Sequence, residues 1–147
     1  MLFRSMTAES RAASLTCWTE KVAVEPLSGG LTNRNFLVRH KGERYVVRIG
    51  DDNPVHLILR WHERAAAEAA YRAGIAPEII HAEPGALVMR HLDGRTLTPN
   101  EVAEPRRLAG LVDVIRRCHV KVPEDFRGPA LAFWPFHVAR HYGRLRS

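Results

Sequence analysis

Turn signals divide this 147-residue chain into two unlike parts. Gly29-Gly30, Lys41-Gly42 and Pro84-Gly85 separate short runs rich in Val, Ile, Tyr and Leu, whereas beyond Thr98 the apolar residues recur at helical spacing. Strands followed by helices alone give an α+β layout with two lobes, not an alternating α/β sheet. Strands are expected over residues 21–28, 35–40 and 43–49, forming an antiparallel meander closed by tight turns. A helix is expected over 57–73, stopping at Gly74, with Ile58, Trp61, Ala65 and Ala69 on one face. Residues 78–83 and 86–91 make a second hairpin about Pro84-Gly85. Thr98-Pro99-Asn100-Glu101 is a capping box with proline at the first helical position. Pro105 opens a helix carrying Leu108, Leu111, Val112 and Ile115 on one side, and residues 136–145 start another. An alanine-rich stretch over 7–16 suits a short helix. The resulting division is an N-terminal extension (1–19), a sheet-bearing lobe (20–91), and a linker leading into helices (92–147).

A hydrophobic content of 46% is enough for one compact core. The net charge of +6 favours anionic partners, but the cations are scattered, and no basic stripe interleaved with aromatics argues for nucleic acid. Cys17 and Cys118 lie far apart, so two free thiols in a reducing compartment are expected. No apolar signal-peptide core follows the N-terminus and no run approaches the length of a membrane span. The expectation is therefore a cytoplasmic protein.

The chemistry concentrates around the first glycine turn. Glycine lets a loop bring backbone N–H groups against a ligand, and successive N–H groups form a concave anion site. Ser28, Gly29, Gly30, Thr32 and Asn33 supply such a loop, with hydroxyls and an amide that brace it or donate to phosphate oxygens. On its own, a glycine pair between strands is equally an ordinary turn. Arg48, in the third strand, provides a fixed cation for phosphate charge; its alternative is a solvent-facing arginine on an amphipathic strand. Glu63 on the following helix is suited to aim Arg48, or else forms a surface pair with Arg60 or Arg64. Glu68, flanked by Arg64 and Arg72 four residues away on either side, suits a solvated face. The strand over 86–91 reads as an edge strand whose backbone would meet a base edge near Arg90 and Leu92, with Val88 and Met89 lining an apolar slot.

His91-Leu92-Asp93 imitates the H-x-D of a kinase catalytic loop, but that loop needs asparagine five residues after the aspartate, and residue 98 is threonine. Asp93 is therefore not taken as a base. His137, His141 and Cys118-His119 match no recognised zinc spacing, and no metal site is expected.

Together these segments resemble the choline/ethanolamine kinase family, grouped with the aminoglycoside phosphotransferases in the protein-kinase-like fold. Ser28-Gly29-Gly30-Leu31-Thr32-Asn33 is similar to that family's phosphate loop, and Arg44-Tyr45-Val46-Val47-Arg48-Ile49 to its third strand. Arg60-Trp61-His62-Glu63 with Gly74-Ile75-Ala76-Pro77 resembles its R-x-x-E helix and G-I-x-P turn. Residues 87–97 resemble its hinge strand and the loop beyond, and Phe133-Trp134-Pro135-Phe136 an early segment of its helical lobe. The resemblance implies a kinase-like N-lobe of five antiparallel strands plus one helix, then the first helices of an incomplete C-lobe. It implies ATP between the lobes, magnesium in the full-length family, and transfer of the γ-phosphate to a small-molecule alcohol of the choline or ethanolamine class. Nucleotide contacts would come from Ser28, Gly29, Gly30, Thr32, Asn33, Arg48, Glu63, Met89, Arg90 and Leu92. The family's H-x-D-x-x-x-x-N loop has no counterpart in these 147 residues. The expectation is thus a truncated chain, catalytically inactive alone, with the apolar face of Leu108, Leu111 and Ile115 prone to self-association. The alternative is a non-catalytic module that binds a nucleotide or a partner protein.

Overall fold

The computed structural model describes residues 6–28, 33–53, 58–129 and 134–144. In chain order the elements are α1 (Ala8–Ala13), β1 (Ala23–Leu27), β2 (Arg34–His40), β3 (Glu43–Ile49), α2 (Arg60–Arg72), β4 (Ile79–Glu83), β5 (Ala86–Arg90), α3 (Pro99–Val102), α4 (Pro105–Asp125) and α5 (Pro135–Arg144). The five strands form one antiparallel sheet in the order β1-β2-β3-β5-β4. The strand-then-helix order read from the sequence is therefore the order in space. One expectation is corrected. β5 is not an edge strand: it pairs with both β3 and β4, and the edges are β1 and β4. An alternating run shows that a strand has two faces but not which neighbours it takes, since pairing is fixed by long-range burial.

Because side chains alternate across a strand, register decides which residues share a face. Val38, Val47 and Val88 are fully buried on one face, in a cluster with Phe36, Ile49 and Ala86. The same cluster contains Ala12 and Leu15, so α1 and the turn after it cover this face. Trp18 closes the edge, its Nε1 donating to the Ala12 carbonyl at 2.8 Å. Two polar ties reinforce the arrangement. Arg11 reaches the Pro84 carbonyl in the β4–β5 turn and Asp51 Oδ1 at 3.2 Å. Thr16 donates to Glu83 Oε2 at 3.3 Å, where His81 Nε2 also lies at 3.0 Å.

Gly85 makes the β4–β5 turn possible. Its φ of 72° lies in the left-handed region, and a Cβ there would stand 2.6 Å from Arg11 Nη2. Gly85→Ala is expected to destabilise the fold by about 1–3 kcal/mol, through strain and displacement of the Arg11 tie. Chemical denaturation of the two proteins measures the difference.

α2 begins later than expected, at Arg60. Ile58 instead forms a β-bridge with Asn53, and the Asp52 carboxylate takes the Arg60 N–H at 2.7 Å. Ile58 therefore does not extend the helical face, and Trp61 is 45% exposed where burial was expected. The helix does end at Gly74, whose φ is 72°. The capping box also forms. Thr98 Oγ1 accepts from the Glu101 N–H at 3.3 Å, and Glu101 Oε2 accepts from the Thr98 N–H at 2.9 Å. The Arg95 hydrogen bond, followed by those from Thr98, holds the Glu101 carboxyl at about 2, so this cap persists into acid. α4 packs on α2, and its Leu108, Val112 and Ile115 are more than half exposed.

Candidate functional site: a carboxylate between two guanidinium groups

Register sets one row of side chains across the whole sheet: Leu27, Asn35, Arg48, Leu87 and Ala82. This row lies on the face opposite the α1 core, because its neighbours Phe36, Val47 and Val88 point to that core. Arg48 is thus placed beneath α2, not in open solvent. Its Nη1 donates to Glu63 Oε1, while Arg60 Nη1 donates to Glu63 Oε2 at 2.6 Å. One carboxylate in the first turn of α2 therefore bridges two guanidinium groups, a position that the positive end of the helix dipole also favours. Glu63 does take Arg60 as a partner, as the surface-pair reading held, and takes Arg48 besides.

Arg60 is itself held at both ends. Its Nε donates to the Asp51 carbonyl at 2.9 Å, and its backbone N–H is bound by Asp52. It is the more enclosed of the two cations, with 16% of its side chain exposed against 32% for Arg48. Sequence reasoning placed Arg60 at the head of the R-x-x-E segment and as a possible surface partner of Glu63, but gave it no part in the site. Gly50 makes room for it, since a Cβ there would sit 2.8 Å from Arg60 Nη2.

Burial by itself pushes the Glu63 carboxyl up, but the hydrogen bonds from Arg60 and then Arg48, with their charges, outweigh it and leave it below the ordinary value of 4.5. A lowered folded-state value means that this pair stabilises the fold above the unfolded carboxylate range, and that the contribution is lost as pH falls through the lower value. Glu63→Gln is therefore expected to flatten the acid limb of a melting-temperature profile as pH falls below the ordinary carboxylate value of 4.5. An unchanged acid limb would remove Glu63 from the acid dependence.

A cavity of about 280 Å³ opens beside this array, between the first turns of α2 and the β4–β5 hairpin, with Arg48, Arg60, Trp61, Glu63 and Leu87 in its wall. Among the described residues, Arg48 Nε and Asn33 Oδ1 are buried here without a hydrogen-bond partner. A buried donor left unpaired is costly, so Arg48 Nε, without a partner among the described residues, is suited to take a further acceptor.

A sequence profile described as the phosphotransferase enzyme family matches residues 23–144, most of the chain. The chain belongs to the phosphotransferase enzyme family. It is 33% identical over 94 residues to the protein LicA of Haemophilus influenzae, covering 62% of this chain and 28% of that protein. LicA of Haemophilus influenzae strain Rd is 32% identical over 92 residues, covering 60% of this chain and 34% of that protein. The fold is that of a Plasmodium vivax ethanolamine kinase, with a TM-score of 0.57 at 16% identity over 83% of this chain and 31% of that one. The chain thus spans about a third of the length of each of these relatives. The family and the kinase-like fold implied by the sequence resemblance are both found.

The other residues singled out in this phosphotransferase chain are distributed as follows. Gly29, Gly30 and Thr32 lie outside the described residues; Ser28 and Asn33 flank them, the first exposed and the second partly buried. Met89 pairs with Val46 and shares the Arg48 face, whereas Val88 faces the α1 core and does not line a slot with it. The Arg90 side chain turns to the other face, bonding Glu78 at 3.2 Å and Glu43 at 3.2 Å. The backbone N–H groups of Arg90 and His91 are taken by the carbonyls of Glu78 and Arg44. Leu92 is 61% exposed. Asp93 is bound by Arg44, with His91 Nδ1 at 3.6 Å, and Glu68 pairs with Arg64 at 2.7 Å on the outer side of α2. No helix is long and apolar enough to cross a membrane among the described residues.

Proposed function

We propose that this chain is the nucleotide-binding part of a small-molecule kinase, which moves the γ-phosphate of ATP to an alcohol of the choline or ethanolamine class. The reading is carried by the Arg48–Glu63–Arg60 array beneath α2, with Arg48 Nε buried and without a partner among the described residues. Arg48 would donate to phosphate oxygens, and Glu63, braced by Arg60, would fix the direction of that donation. A guanidinium held in advance loses little freedom on binding, so more of its interaction energy appears as affinity. Ser28, Gly29, Gly30, Thr32 and Asn33 would cover the phosphates. Val46 and Met89 would contact the base, and the occupied N–H groups of Arg90 and His91 move the expected backbone contact outward to Leu92.

Magnesium, when bound, would neutralise phosphate charge during transfer. This chain's own residues bind and orient. They offer no aspartate with the H-x-D-x-x-x-x-N spacing that the family uses for its base and metal ligand. The alcohol class is proposed from the ethanolamine kinase that shares the fold. Calorimetric titration of the chain with ATP and magnesium tests the first step: saturable binding without ADP release is expected. Absence of saturable ATP binding overturns the nucleotide assignment. Steady ADP release with choline or ethanolamine overturns the claim that catalytic residues are missing.

A further inference from the structure

A second concave surface lies between the C-terminal end of α2 and the C-terminal half of α4, and shares no lining residue with the cavity beside Arg48. It encloses about 390 Å³, and its charged lining is Arg72, Asp113, Arg116, Arg117, Lys121 and Asp125. Four cations stand against two carboxylates in the lining, and Glu124, paired with Lys121 at the rim, leaves a local excess of +1. Asp113, Arg117 and Lys121 recur every four residues, so they stand in line along one face of α4. The pairs within the groove are open to water. Arg117 meets Asp113 at 2.6 Å and Arg72 meets Asp125 at 3.8 Å, with 37–46% of these side chains exposed. Lys121 in turn meets Glu124 at 3.0 Å, with both side chains more than half exposed. Exposed pairs hold their partners weakly, so these three acids are poor competitors for a multivalent anion. Arg116 has no ion-pair partner among the described residues. Beside the groove, Arg117 Nη1 lies 3.5 Å from where a Cβ on Gly74 would stand.

We propose that this groove binds a small phosphorylated anion, held chiefly by Arg116, Arg117 and Lys121. Guanidinium groups match pairs of phosphate oxygens with parallel N–H donors, which favours phosphate over a simple halide. The cations are gathered in a concavity instead of a long stripe, which favours a small ligand over nucleic acid. Since the lining comes from two helices, an occupant ties α2 to α4 and raises the melting temperature by mass action.

Inorganic pyrophosphate is the probe, titrated calorimetrically into the full chain at about 0.15 M salt, where long-range attraction is largely screened. The same titration is made on Arg48→Ala, on Arg116→Gln/Lys121→Gln, and on Arg116→Lys/Lys121→Arg. Binding is expected to persist in Arg48→Ala, to weaken about tenfold or more in the charge-removing pair, and to return to within about threefold in the charge-keeping pair. Circular dichroism checks that each variant is folded; Arg116, Arg117 and Lys121 lie on the surface, whereas Arg48 is half-buried beneath α2. Equal affinity in the charge-removing pair, disappearance of binding in Arg48→Ala, or no saturable binding by the parent chain each overturns the proposal.

Discussion

Arg48→Ala is expected to weaken ATP binding by about 10- to 100-fold, while Arg44→Ala changes it by less than about threefold. The two arginines stand four residues apart on the same face of β3, so net charge and long-range attraction change equally in both variants. Their surroundings differ. Arg48 is held by Glu63 and keeps a buried Nε without a partner among the described residues, whereas Arg44 is engaged with Asp93 at the linker. A charge-assisted hydrogen bond contributes about 1.5–3 kcal/mol, which is the source of the larger figure. Calorimetric titration of the parent and both variants at one ionic strength gives the comparison. Equal losses would show that general positive charge, not an aimed guanidinium, attracts the nucleotide. Arg48→Lys adds a second check: the charge remains but the forked geometry does not, so an intermediate loss is expected.

Leu15→Ala is expected to lower unfolding stability by about 2–4 kcal/mol, a large share of what a small domain possesses. Leu15 is 3% exposed and belongs to the cluster that contains Val38, Val47 and Val88. Truncating it leaves a void between the α1 segment and the sheet, in a core where few other large side chains are available to fill it. The effect should propagate to the turn ties, because Arg11 and Thr16 sit on either side and hold the β4–β5 hairpin through Pro84 and Glu83, and the loop after β3 through Asp51. Urea denaturation measures the loss. A change below about 0.5 kcal/mol would mean that the α1 segment is a dispensable covering and not part of the core.

Much of the site was visible in the chain before folding. Arg48 and Glu63 stand out because a cation at a fixed place in a short strand, and a carboxylate in the first turn of the next helix, form a known pairing of roles. The turns about Gly42 and Gly85 and the Thr98 cap were visible because each depends on a few neighbouring residues. Arg60 was harder. Its partners include Asp51 and Asp52 in the preceding loop, and a loop path has no periodicity from which to infer it. Its enclosure follows from the way the chain doubles back at the Asn53–Ile58 bridge. The polar groove on α4 has the same character: an i, i+4 row of charges reads as a solvated face until a second helix is laid against it.

What the sequence determined by itself was the inventory of elements and the polarity of each face, because alternation and capping depend on contacts among residues close in the chain. What only the tertiary structure decided was which faces meet. It put β5 in the interior of the sheet, made the α1 segment part of the core, and gave Glu63 two guanidinium partners instead of one. Those outcomes rest on burial summed over residues far apart in sequence, and no local pattern contains that sum.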